Sequence, residues 1–170
     1  MNQRIILDRR IAEDTWQLVP GDGDIPPTGD IIVSLTRWLE ERSHLLVRAG
    51  RTGVWLRPDD DPEKLARDLS DLPLVAVQFP QFTDGRGYSS ARLLRERFSY
   101  KGELRAIGEV LRDQLFYLES VGFNAFANET DKNLEDALAA FADFADAYQS
   151  SVARPVPYYR RRLGSAGLAQ

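Results

Sequence analysis

The segment from Leu74 to Phe79 (LVAVQF) is apolar apart from Gln78, the pattern of a parallel strand covered on both faces. Shorter apolar runs at residues 54–56, 104–107 and 123–127 predict further strands, and helical periodicity fills the gaps between them. Asp61 is placed to cap a helix that opens on Pro62 and Glu63 and turns Leu65, Ala66 and Leu69 inward. Residues 87–98 predict the next helix, with Ala91, Leu94 and Phe98 on one side. Residues 110–121 predict another, which buries Val110, Leu111, Leu115 and Leu118 and ends at Gly122. Leu134, Leu138, Phe141, Ala145 and Tyr148 recur at spacings of four, three, four and three and define a last helix.

Upstream, residues 4–7 and 16–19 flank a charged turn and read as an N-terminal β-hairpin, followed by a loop over 20–30 rich in Gly, Pro and Asp. Ile31, Ile32, Leu35, Trp38 and Leu39 fall at helical spacing. Residues 44–47 and 54–56, joined through Gly50 and Gly53, read as a second hairpin. About four consecutive βα units imply an α/β fold with a mostly parallel sheet and right-handed crossovers. The alternation fits a half-barrel and an open doubly wound sheet equally. Residues 1–150 are expected to form a single α/β domain. Residues 151–170 read as a Pro-containing, basic tail, with 154–162 docking on the acidic face of 129–146.

Composition narrows the chemistry. At 170 residues and 43% hydrophobic, the chain can bury a full single-domain core. It has no cysteine, which excludes disulfides, thiolate-bound zinc or iron-sulfur clusters and a cysteine nucleophile. His44 is the only histidine and is assigned a surface or structural role, so no Ser/His/Asp triad and no His-rich metal site can be assembled. The net charge of −4 argues against nucleic-acid binding. With no long apolar run and no signal peptide, the expectation is a cytoplasmic protein without a membrane span.

One segment stands apart. Residues 84–105 carry six basic side chains against three acidic ones, and the stretch after Phe79 reads PQFTDGRGYSSAR, two glycines around an arginine just before a helix. Ligands of parallel α/β sheets sit beyond the carboxyl ends of the strands, where this loop belongs. Glycines allow close approach of the backbone, and the first turn of a helix offers unpaired amides and partial positive charge. Thr83, Gly85, Arg86, Gly87, Tyr88, Ser89 and Arg92 are therefore the candidate anion-binding residues, with Arg86 or Arg92 as a bidentate fork. Tyr88, Arg92 and Arg95 at i, i+4 and i+7 would form one outward stripe. Asp84 and Glu109 are the candidate acid or base, and Asn128, Glu129 and Thr130 lie on the neighbouring loop. The same residues also suit a plain capped turn with surface ion pairs. There is neither a Walker Lys-Ser/Thr nor a complete Rossmann fingerprint, so no cofactor is identifiable.

The run FPQFTDGRGYSSARLLRER over 79–97, followed by KGELRAIG over 101–108 and LRDQL over 111–115, resembles a bacterial family catalogued as domain of unknown function 934. The resemblance covers about residues 30–150. Members are described as oxidoreductases involved in sulfite reduction; with no cysteine, one histidine and one methionine to hold a redox centre, the chain is expected to be an accessory factor of assimilatory sulfite reduction that binds sulfite reductase or a small oxyanion through the Gly/Arg-rich segment. The resemblance carries no catalytic assignments. An enzyme acting on a small anionic metabolite and a protein-interaction domain built on Phe82, Tyr88 and the arginines are the alternatives.

Overall fold

The structure, a computed structural model, describes residues 3–128 and 134–143. Strands β1 (Arg4–Leu7), β2 (Arg10–Glu13), β3 (Trp16–Leu18), β4 (Asp30–Ser34), β5 (Thr52–Leu56), β6 (Leu74–Phe79), β7 (Glu103–Gly108) and β8 (Ala125–Asn128) make one eight-stranded sheet ordered β2-β1-β8-β7-β6-β5-β4-β3. From β3 to β8 each strand pairs in parallel with the next in sequence. Only β1 runs antiparallel to both its neighbours.

Because the parallel strands follow one another without a reversal of order, right-handed crossovers deliver the helices to one face. Helices α1 (Leu35–Val47), α2 (Arg86–Arg92), α3 (Leu115–Ser120) and α4 (Leu134–Asp143) all contribute to the larger core, where Trp38, Ala91, Leu94, Leu118 and Phe141 meet Val33, Val54, Val77, Leu104 and Phe126 of the strands. The opposite, concave face holds a smaller cluster of Ile32, Leu74 and Ala76 with Trp16, Trp55 and Ile107. The sheet is a curled half-barrel, which settles the alternative left open by the sequence. Its edge strands β2 and β3 are consecutive in the chain, with only Asp14 and Thr15 between them.

The βα alternation from β5 to β8 is as expected, and β4 with α1 adds a unit in front of it. Several local expectations are corrected. The N-terminal hairpin is β1 with β2, whereas residues 16–18 pair with β4 at the far edge. Asp8 and Arg9 both adopt positive φ (48° and 59°), as a tight two-residue hairpin turn requires. Asn124 holds Asp8 by a mutual pair of hydrogen bonds (2.8 and 3.0 Å), and Glu119 takes two from Arg9 (2.6 Å each).

Ile31 and Ile32 belong to β4, not to a helix. Their β-branched side chains suit a strand, and the helix starts only where the Ser34 hydroxyl accepts the Arg37 N–H at 3.3 Å. Residues 44–47 are the last turn of α1, so no hairpin joins them to β5, which runs parallel to β4. The helix after Asp61 shrinks to a 3₁₀ turn at Pro62–Leu65, and that expected over 110–121 to a 3₁₀ turn at Arg112–Gln114 followed by α3, leaving Leu111 exposed. Residues 129–133 and 144–170, including Glu129, Thr130, Ala145, Tyr148 and the expected tail, lie outside the described residues.

Candidate functional site

The loops after β5, β6 and β7 share the carboxyl end of the sheet, and hydrogen bonds tie them together. At the start of α2 the Asp84 carboxylate accepts the Arg86 N–H (3.1 Å) as well as Arg86 Nε (3.0 Å) and Nη2 (2.6 Å). The third guanidinium nitrogen, Nη1, pairs with Asp59 of the β5 loop. The Arg86 fork is thus engaged by two carboxylates. Its hydrogen bonds hold the Asp84 carboxyl below the usual carboxylate range, and Asp84 in return raises the Arg86 guanidinium.

The two glycines of the loop serve different ends. Nothing stands within 4 Å of where a side chain on Gly85 would begin, so its backbone is open to solvent. Gly87 is buried, and a Cβ there would come to 2.6 Å from Phe79 Cζ. Gly87 lets α2 lie directly on β6. Tyr88 is half-buried, edge-on to Phe79 (5.5 Å between centroids) and tilted on Tyr117 (5.0 Å), and desolvation raises its hydroxyl pKa. Thr83 and Ser89 are exposed, and Arg92 is exposed beside Glu96 at 3.6 Å.

The outward stripe does not extend to Arg95. Residues Leu93–Arg97 form a π-helical turn, whose wider coil takes their side chains off the α-helical register. Arg95 points inward and donates to the carbonyls of Gly122 (2.9 Å), Tyr100 (2.6 Å) and Gly102 (2.9 Å), pinning α2 to the starts of β7 and β8. Burial lowers its pKa. His44 is exposed on α1.

Glu109 and Gln114 do something the sequence did not reveal. Glu109 Oε2 accepts the Phe82 N–H (3.3 Å), and Gln114 Nε2 donates to the Phe82 carbonyl (2.8 Å). Gln114 Oε1 also takes the Leu111 N–H at 3.2 Å. The peptide groups of Phe82 are clamped while the residue is 50% exposed, and Leu111 (42%), held by the same Gln114, and Tyr117 (56%), packed on Tyr88, are exposed as well. Large apolar side chains held outward on a fixed backbone are the composition of a contact surface. Nothing in the sequence marked Asp59, Leu111 or Tyr117 for this face. Among the described residues, no group of three or more acidic or His side chains could hold a metal ion, and no helix is long and apolar enough to cross a membrane.

Fold and face together define a βα half-barrel protein whose carboxyl-end loops carry an ion-paired arginine and a clamped aromatic tip. A family model described as bacterial protein of unknown function (DUF934) matches residues 53–159, which span every strand of this face except β4 and the N-terminal ones. The chain belongs to that family. A search of curated proteins gave no match.

Proposed function

We propose that this protein is an accessory factor of sulfite reduction that docks on sulfite reductase through the carboxyl-end face, with Phe82 at the centre of the contact. One observation carries the reading: Phe82 is half exposed although both its peptide groups are held by Glu109 and Gln114. A rigid aromatic tip loses little conformational freedom on association, which favours binding. The link to sulfite reduction comes from the resemblance of residues 79–115 to its family. The two candidate acid or base carboxylates are engaged elsewhere, Asp84 on Arg86 and Glu109 on the Phe82 amide, so the geometry favours contact over catalysis. Purified sulfite reductase passed over the immobilised protein should be retained, and Phe82→Ala should weaken retention by about 30-fold, as for a central aromatic anchor. Failure of the wild-type protein to retain the reductase at micromolar concentration sinks the proposal.

The open backbone at Gly85 favours a second reading, in which a small oxyanion such as sulfite sits over residues 85–89 with Arg86 and Arg92 beside it. Such an anion competes with Asp84 and Asp59 for the Arg86 guanidinium. Calorimetry with sulfite, sulfate and phosphate on wild type and Arg86→Ala tests it: heat that is absent, or unaltered by the substitution, removes Arg86 from any anion site.

A further inference from the structure

At the opposite end of the sheet, among the amino ends of β5, β6 and β7, lies an open cavity of about 870 Å³. We infer that it binds an amphipathic carboxylate, with the acid group at Lys101 and the apolar body against Leu46, Leu69, Leu72 and Phe98. The volume falls in the range of small-molecule sites, which combine apolar walls with a few polar groups that orient the ligand. Leu69 and Leu72 are buried core residues that also line the cavity, and Leu46 on α1 is 45% exposed at its lip.

The charges lining and flanking the cavity set the sign of the ligand. Arg51 lines the wall but is committed to Asp30, which takes two hydrogen bonds from its guanidinium (3.0 and 2.5 Å). Asp71, on the facing segment, is 3.9 Å from Arg42, whose closer partner is Asp68 at 2.6 Å. Lys101 pairs with no carboxylate among the described residues, so it is the cation of the lining left to take a ligand's acid group. Its position is fixed by its neighbours. Ser99 adopts positive φ (53°), and Tyr100 is buried with its hydroxyl donating to the Leu72 carbonyl at 3.0 Å, which leaves Lys101 at the rim. A backbone held in a sparsely populated conformation beside a cavity is a recurrent feature of ligand sites.

Titration calorimetry with sub-micellar decanoate tests the inference. Wild type should bind with a dissociation constant on the order of 100 μM, while acetate, which has the charge without the chain, should give no heat. Lys101→Ala should weaken decanoate about fivefold, the worth of one exposed charge pair, and leave decanol unchanged. Leu46→Glu should abolish decanoate binding, with thermal melting as the check on folding. Phe82→Ala should bind decanoate as wild type does, which separates this site from the docking face. No saturable binding to wild type, or affinity indifferent to either Lys101→Ala or Leu46→Glu, overturns the inference.

Discussion

Arg105 and Asp14 are 91 residues apart in the chain and meet at 2.9 Å on the concave face of the sheet, their side chains 3% and 7% exposed. Glu103 takes a second hydrogen bond from the same guanidinium at 2.7 Å. The pair ties β7 to the link between the two edge strands. Removing Arg105 strands Asp14 as a buried charge and takes the partner from Glu103, so Arg105→Ala should cost about 3–5 kcal/mol in urea unfolding, whereas Asp14→Ala leaves Arg105 paired with Glu103 and should cost less. Because the two share one interaction, the double variant should lose clearly less than the sum. Additive losses would show that the pair contributes nothing specific.

Gly85 and Gly87 make a matched test of the loop. Gly87→Ala drives a methyl into the Phe79 ring and should destabilise by about 1–3 kcal/mol. Gly85→Ala meets open space at an ordinary φ of −81° and should stay within about 0.5 kcal/mol of wild type. Equal melting temperatures for the two variants would refute the packing role assigned to Gly87.

Arg95 and Gly122 should behave as one unit. Gly122 sits at φ 118° with its missing Cβ directed at Arg95 Cγ, so a side chain there both strains the backbone and displaces the arginine. Arg95→Ala should cost about 3 kcal/mol through three carbonyls left without their donor, and Gly122→Ala a comparable amount. Amide hydrogen exchange should rise first at the starts of β7 and β8. Unaltered exchange there would contradict the pinning role.

Tyr100 controls the alkaline limit. Its hydroxyl is pushed well above the ordinary value of 10.0, chiefly by burial, so the folded state favours the neutral phenol more than the unfolded chain does. The stability it contributes is fully present below pH 10 and is lost as the pH climbs past that value. Absorbance titration should show one tyrosine that ionises only as the protein unfolds, and this component should disappear in Tyr100→Phe. A full complement of tyrosines titrating reversibly near pH 10 in the folded protein would exclude this.

Much of the α/β frame was legible because the strands beneath the helices are nearly continuous apolar runs, and the shortness and two valines of residues 74–79 favour a strand over a buried helix. Ile31 and Ile32 misled because 31, 32, 35, 38 and 39 fit a helical stripe as well as a strand followed by a helix. Ser34, the cap that divides them, was the signal to weigh. At the candidate site the Gly and Arg content was visible but its use was not. Asp59 reaches Arg86 across 27 residues, a pairing that no local spacing announces. The π turn moved Arg95 off a stripe that assumes a regular α-helix, and the sequence offers Phe82 as a contact residue but gives no sign of the Glu109 and Gln114 clamps that hold it.

The edge strands β2 and β3 are separated by two residues, so one short covalent span links opposite margins of the sheet. A trans chain advances at most about 3.6 Å per residue, and this caps how far the margins can part. The girth of the concave face is therefore limited by chain length at Asp14 and Thr15, and lengthening that span would let the sheet uncurl.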